Sequence, residues 1–518
     1  MSGTDNRPAT YQGLTVMDGV RSAAARTPDK VAVRAVGREL DYRSLMDRSQ
    51  RVANGLRDGL GLPSGTHIAL LAPNCLEYVE LVCGVAAAGC AVVTVSPRSP
   101  AAEIASVIND SEARVLIVHP DLEDTARAAS LETVETVLVL GTEYETWLSR
   151  ARTSHPGVIV EEWDTMVVHY TSGTTGDPKG VLVPHRSRVI NYFAMASEYG
   201  CYGPDDRALA ISPLYHGAGL SFALAPLFFG GTTTILPKFD PEEVLAQLER
   251  SAATNVFMVP THFSDLFALG EDRVRSTDIS SLKTVISNAA PLPQPMKERI
   301  VDVLGKGLLF ECYGSTEGGV VSNLRPADQL RKERSVGLPF PCTEVRLLDD
   351  GNGEVRPGEV GELFSRSPYL FNGYWRRPEE TAATMRNGWF SAGDLAHRDE
   401  EGYLYLVDRK GDRILSGGMN VYPREVEEAL TRHPAVMEAA VYGIPNERWG
   451  ELVHGSVVVR PGFQVASGEL VEHCRTLVAG YKVPRGLDSV ESLPRNAAGK
   501  VLRRALRDPY WEGQERSI

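Results

Sequence analysis

The stretch Thr66-His-Ile-Ala-Leu-Leu-Ala-Pro-Asn-Cys-Leu-Glu-Tyr-Val-Glu-Leu-Val-Cys-Gly-Val-Ala-Ala-Ala-Gly-Cys-Ala-Val-Val-Thr-Val95 sets the fold class. IALLAP (68–73) is a short apolar run ended by proline, the following residues to Ala88 have helical spacing, and AVVTVSP (91–97) is a second apolar run. Apolar runs of four to eight residues separated by helical segments predict parallel strands buried on both faces, joined by crossover helices. Working outward, a helix to Ala113, VLIVHP (115–120), a further helix and TVLVLG (136–141) repeat the pattern. It resumes at MVVHY (166–170) and continues through RALAIS, TTTILP, NVFMVP, TVISN and LLFECYG (308–314), which predicts a second α/β layer beginning at residue 166. Asp240, Pro241 and Glu243 predict a capped helix start.

Beyond about residue 335 the chain changes to Gly- and Pro-punctuated strands, such as VRLLDDG and GYLYLVDR, as in a small antiparallel β subdomain. The last ~107 residues read helix, strand, strand, helix, strand, helix, a small α+β domain. The polar run Asp408-Arg409-Lys410-Gly411-Asp412 predicts the boundary, giving domains 1–410 and 411–518. The expected fold is thus α/β, with layered parallel-sheet subdomains and a small β subdomain followed by a small α+β domain.

The 518 residues carry 54 Lys+Arg against 67 Asp+Glu, a net charge of −13, with 43% apolar and 23% charged residues. Such composition excludes disordered, fibrous and low-complexity classes, and the acidic balance argues against nucleic-acid or anionic-membrane partners. The longest weakly polar run, Leu81 to Val95, contains Gly84 and Gly89 and falls short of the ~20 residues of a membrane helix. No basic stretch followed by an apolar core opens the chain, so a cytoplasmic location is expected. Seven scattered cysteines without a CxxC predict reduced, mostly buried thiols.

The stretch Tyr170-Thr171-Ser172-Gly173-Thr174-Thr175-Gly176-Asp177-Pro178-Lys179-Gly180-Val181 follows a strand. Its serial hydroxyls and glycines let backbone N–H groups and side chains converge on phosphate oxygens. It lacks the GK[ST] ending of a Walker A loop. A flexible Ser/Thr/Gly linker would share the composition but not this order.

That order, TSGTTGxPKG, resembles the signature of the adenylate-forming family of acyl-CoA synthetases, luciferases and nonribosomal-peptide adenylation domains. The resemblance continues through Tyr313-Gly314-Ser315-Thr316-Glu317, Gly393-Asp394, Asp408-Arg409, Ser416-Gly417-Gly418 and Pro494-Arg495-Asn496-Ala497-Ala498-Gly499-Lys500, covering most of the chain. It implies a large N-terminal domain, a small C-terminal domain that rotates on it, and acyl-CoA ligase chemistry. A carboxylate attacks the α-phosphorus of ATP, pyrophosphate leaves, and coenzyme A takes the acyl group from the adenylate. Two anions must meet, which calls for cations, Mg²⁺ and a phosphate-holding loop.

The resemblance implies that Lys500 supplies the cation and Glu317 binds Mg²⁺. Thr171, Ser172, Gly173, Thr174, Thr175 and Gly176, with Lys179, would hold the phosphates. Asp394 would take the ribose hydroxyls with Arg409. Tyr313, followed by Gly314, Ser315 and Thr316, would lie against the adenine, whose edge is read near Asn288, Ala289 and Ala290. His216 falls at the gate between acyl pocket and thiol channel, and Gly217, Ala218 and Gly219 leave room for a hydrophobic, bulky acid. Ser416, Gly417 and Gly418 would let the pantetheine arm pass.

Gly486-Leu487-Asp488-Ser489 mimics a carrier-domain attachment site, but strand-like residues follow at once. Free coenzyme A is therefore the expected acceptor. Two departures from the family pattern stand out: Asn288-Ala289 replaces Gly-Gly or Gly-Ala, and Gly411 replaces the usual Asp or Lys of the hinge. The alternatives are a chain specialised for one half-reaction and a non-catalytic binding relative. The acid and the oligomeric state are not legible in the sequence.

Overall fold

A computed structural model describes residues 11–35, 37–172, 178–495 and 501–512. Gly173, Thr174, Thr175, Gly176 and Lys500 lie outside the described residues. The chain divides into two compact units, Met1–Glu344 with Ser365–Phe390, and Val345–Phe364 with Ser391–Ile518.

The first unit contains two sheets. One has seven strands in the order Gly373–Tyr374, Pro178–Pro184, Thr165–Ser172, Ala91–Val95, His67–Leu71, Val115–Val118, Thr136–Val139. Its central strands pair in parallel, with Ala69 opposite both Val93 and Leu116, as the alternating runs predict. MVVHY does not open the second layer. It pairs in parallel with Ala91–Val95, Val93 opposite Val168, and so belongs to the first sheet. Local periodicity identifies a buried strand but carries no information about which neighbour it pairs with.

The nine-stranded sheet runs Leu338–Pro339, Gly319–Leu324, Leu309–Ser315, Thr284–Ser287, Asn255–Met258, Arg207–Ala210, Thr232–Ile235, Val31–Ala35, Arg38–Asp41. Its edge comes from the far N-terminus, where Val33 lies opposite Thr233. One core cluster joins Ile68 and Val167 of the first sheet to Ile235 and Ile286 of the second through Tyr192 and Ala223 of intervening helices. The weakly polar run Leu81 to Val95 begins in the second half of the helix Leu76–Ala87, in which every residue from Tyr78 onward is buried, and ends in the strand Ala91–Val95. A helix buried on nearly all sides is a core helix, and its buried carboxylate, Glu80, is paired with Arg48. Asp240 caps Pro241–Arg250 as expected, its carboxylate accepting from the Glu243 N–H at 3.0 Å.

The second unit holds two antiparallel arrangements. Asp394–Arg398 pairs with Leu404–Arg409, and Gly361 and Glu362 pair with Ala396 and Leu395. The other sheet runs Met419–Val421, Ile414–Ser416, Gly450–Val459, Val436–Asn446, with Gly486–Ser489 added in parallel. Pro423–Thr431 and Ser467–Arg475 cover it, Val426, Leu430, Leu470 and Cys474 packing on Val436, Val441 and Val453. The expected order of six elements after residue 412 is present, preceded by a hairpin of two three-residue strands. Residues 391–410 pack with this unit, because Asp408 accepts from the Arg424 N–H at 2.8 Å.

Candidate active site

In the first unit the two strands that flank the Ser/Thr/Gly-rich stretch pair with each other, Thr171 opposite Lys179 and Ser172 opposite Pro178. Lys179 forms an ion pair with Glu380, and its Nζ lies 5.7 Å from the centre of the Tyr374 ring. The Tyr374 hydroxyl donates to Glu317 Oε1 at 2.8 Å, and the Glu317 carbonyl accepts from the Phe371 N–H at 2.9 Å. The strand Gly373–Tyr374 pairs with Pro178–Pro184, Tyr374 opposite Val181. One short strand thus brings Lys179 and Glu317, 138 positions apart in sequence, to the same tyrosine. Neither Tyr374 nor Glu380 is singled out by the sequence: Tyr374 falls inside the strand-like stretch 361–375, and Glu380 follows it in a polar segment.

Tyr313 to Glu317 occupies the tip of a second hairpin, Leu309–Ser315 with Gly319–Leu324. Its glycines have steric reasons. A Cβ on Gly314 would meet the Gly319 carbonyl oxygen at 2.1 Å, and Gly319 has φ +67°. Asn288 follows the neighbouring parallel strand Thr284–Ser287 and donates from Nδ2 to Cys312 Sγ at 3.0 Å. Asn288, Ala289, Ala290 and Tyr313 therefore gather at the carboxyl ends of parallel strands, where open α/β sheets bind ligands. Ala289 has φ +74°, a left-handed conformation for a residue with a Cβ. Behind this loop Glu311 accepts from the Leu292 N–H at 3.2 Å and pairs with Lys297, both carboxylate and ammonium buried.

His216 precedes the helix Gly217–Phe228, its ring centre 4.5 Å from that of Tyr215. A Cβ on Gly217 would lie 3.6 Å from His169 Nε2 and 3.6 Å from Thr316 Cγ2, so Gly217, His169 and Thr316 share one wall. His169, a buried polar residue inside an otherwise apolar strand, was missed by the sequence reading. Its Nδ1 is 2.9 Å from Thr94 Oγ1. Burial lowers its pKa to about 3, and the Arg188 and His216 charges act in the same direction. Gly219 has a packing reason of its own, since a Cβ there would sit 2.1 Å from the Pro213 carbonyl oxygen. Ala218 is half-buried.

In the second unit, Asp394 and Arg409 lie opposite each other in register, Arg409 Nε 3.3 Å from Asp394 Oδ1. Burial raises the Asp408 carboxyl to about 6, against the opposing influence of Arg503. Ser416 pairs with Met419, leaving Gly417 (φ +58°) and Gly418 (φ +78°) as a two-residue turn. Positive φ at both positions is the type I′ requirement, so this pair of glycines is needed by the hairpin itself. Gly411 lies exposed in a short 3₁₀ turn, Lys410–Asp412. Among the described residues no group of three or more His, Cys, Asp or Glu side chains is arranged to hold a metal ion, and no helix is long and apolar enough to cross a membrane. No two cysteines are bonded, and five of the seven are buried.

Paired strands flanking a Ser/Thr/Gly-rich stretch, a glutamate held by a tyrosine, and loops gathered at parallel strand ends are the arrangement of an α/β enzyme. The chain belongs to the AMP-binding enzyme family, which matches residues 20–375, with the AMP-binding enzyme C-terminal domain matching 425–500; it is an acid–thiol ligase of the AMP-forming acyl-CoA synthetase type. It is 38% identical over 487 residues to a feruloyl-CoA synthase of Amycolatopsis sp, covering 93% of this chain and 96% of that protein. It is 32% identical over 529 residues to a long-chain-fatty-acid–CoA ligase of Bacillus subtilis (strain 168), covering 95% and 94%. Among solved structures, ATP-bound MatB from Rhodopseudomonas palustris superposes with a TM-score of 0.88 at 28% identity, covering 96% of this chain and 99% of that one.

Proposed function

We propose that this chain joins a hydrophobic carboxylic acid to coenzyme A, using ATP to form an acyl-adenylate and releasing pyrophosphate. The observation that carries the reading is the Lys179–Tyr374–Glu317 cluster at the paired strands that flank the Ser/Thr/Gly-rich stretch. It supports a loop that holds the leaving phosphates through Thr171, Ser172, Gly173, Thr174, Thr175 and Gly176. Glu317 fits Mg²⁺, because this ion commonly binds one or two protein carboxylates and takes its other ligands from water and substrate phosphates. Mg²⁺ there would offset phosphate charge. Tyr374 holds the glutamate carboxylate in one orientation for that purpose.

Within the same reading, Tyr313 and the 288–290 loop take the adenine, and Asp394 with Arg409 takes the ribose. Lys500 supplies the cation at the α-phosphate, His216 gates the acyl pocket, and Gly411 is the pivot of the C-terminal domain. The likeness to a feruloyl-CoA synthase and a long-chain-fatty-acid–CoA ligase supports an apolar acyl group.

ATP–pyrophosphate exchange and CoA thioester formation, measured separately with ferulate, palmitate and acetate, test the reading. The expected result is both activities with ferulate or palmitate and little of either with acetate. Exchange without thioester would replace the reading with an adenylation-only enzyme. Thioester formation from a supplied adenylate, without exchange, would replace it with the reverse specialisation. Neither activity with any acid would leave a binding protein.

A further inference from the structure

The roles assigned above use no residue of the helix His185–Tyr199, yet that helix buries a cation without a counter-ion. Arg188 is 5% exposed. Its hydrogen bond is a long one, Nη2 donating to the Thr316 carbonyl oxygen at 3.5 Å, and among the described residues no carboxylate lies within ion-pair distance of it. Other enclosed arginines are compensated: Arg48 by Glu80 and Glu145, Arg503 by Glu427 and Asp412. Removing a guanidinium from water without a partner is strongly unfavourable. Burial accordingly lowers the Arg188 pKa, against the opposing influence of Tyr192. The first turn of the helix contains no acidic residue, and its positive dipole end adds to the cost of a cation there.

Arg188 lies beside residues that the acyl-activating reading places at the acyl pocket. Thr316 belongs to the Tyr313–Glu317 motif, and its side chain shares a wall with Gly217 and His169. His169 is close enough to feel the charges of both Arg188 and His216. Arg188 reaches the Thr316 carbonyl, and the neutral His169 ring shares the wall beside the Thr316 side chain. The nearest carboxylate in sequence, Glu317, is engaged by Tyr374. On the same helix Asn191 Nδ2 and Tyr192 OH are buried without a hydrogen-bond partner.

We propose that Arg188 receives a carboxylate oxygen of the incoming acid and holds it beside Thr316 until the adenylate forms. This rests on the acyl-activating reading above. In that step the other carboxylate oxygen bonds to the α-phosphorus while the bond to pyrophosphate breaks, and Arg188 neither gives nor takes a proton. The free acid carries a full negative charge and the adenylate carbonyl does not, so Arg188 favours the acid over the activated acyl group.

Arg188→Met and Arg188→Lys in the full chain test this with ferulate as acid. Arg188→Met is expected to raise the KM for ferulate in pyrophosphate exchange at least tenfold and to leave the KM for ATP within twofold. CoA capture of synthetic feruloyl-adenylate should also stay within twofold. Arg188→Lys should recover part of the ferulate KM. In direct titrations the preference of the unmutated protein for ferulate over its neutral amide should disappear in Arg188→Met. An unchanged ferulate KM overturns the proposal. So does a joint loss of ferulate, ATP and CoA-step performance, which would mark Arg188 as a brace for the Thr316 carbonyl. If the unmutated chain exchanges with no acid, the acyl-activating reading falls first and this assignment with it.

Discussion

Ala289 holds a left-handed conformation at the loop that faces the inferred nucleotide, and an L-residue with a Cβ adopts it at a cost of roughly 1–2 kcal/mol. The strain is sustained from both sides. Asn288 bonds to Cys312 and to the Ala289 N–H, and the buried Glu311–Lys297 pair fixes the chain at Leu292. Ala289→Gly should therefore stabilise the first unit by about 1 kcal/mol, the relieved strain outweighing the extra freedom of glycine when unfolded. Urea denaturation followed by tyrosine and tryptophan fluorescence would detect the change, and a lower midpoint for Ala289→Gly would contradict it. The departure from Gly-Gly or Gly-Ala at 288–289 was visible in the sequence. That the second position carries the positive φ was not, because an alanine gives no sign of it.

The hairpin Ile414–Ser416 with Met419–Val421 separates a structural reason for glycine from a functional one at the scale of a single element. Both turn glycines have positive φ, but a Cβ on Gly417 would meet the Trp449 ring at 2.6 Å, while one on Gly418 meets nothing within 4 Å. Gly417→Ala should destabilise the second unit more than Gly418→Ala, since it adds displacement of Trp449 to a similar backbone cost. If the turn also admits the pantetheine arm, Gly418→Ala raises the KM for CoA and leaves pyrophosphate exchange unchanged. Equal stability of the two variants would refute the packing difference, and an unchanged CoA KM would refute passage at this turn. The hairpin escaped the sequence reading because three-residue strands are too short to show alternation. Parallel strands and the Asp240 cap were legible, since apolar runs and capping residues act within a few positions. The allocation of MVVHY to the first sheet and of Val31–Ala35 to the second was not, because those pairings depend on residues 70 to 200 positions away. For the same reason Lys179 and Glu317 were legible as motif residues, whereas Tyr374, which brings them together, was not.

At the scale of the whole molecule, the proposed function asks one chain to serve two steps, and in that proposal Gly411 is the pivot at which they are balanced. Gly411 has no left-handed φ, and a Cβ there would meet nothing within 4 Å, so neither backbone strain nor crowding requires glycine. Its neighbours are engaged inside the second unit. Lys410 Nζ lies 3.0 Å from Glu362 Oε2 and 3.1 Å from Asp350 Oδ1, and Arg503 Nη1 donates to Asp412 Oδ2 at 3.2 Å. A side chain taking over the anchoring task from either position would first have to leave these partners. Glycine's greater backbone freedom, roughly 0.5–1 kcal/mol, can shift a two-state equilibrium about two- to fivefold. Gly411→Lys should thus be folded and raise pyrophosphate exchange two- to fivefold relative to CoA capture of a supplied adenylate. Gly411→Pro, which fixes φ and removes an N–H, should depress one of the two steps far more than the other. Both rates are to be measured on each protein with the same acid. Comparable rates for the two steps in the unmutated chain, unchanged by Gly411→Lys, would mean that position 411 does not set the balance between adenylation and thioester formation.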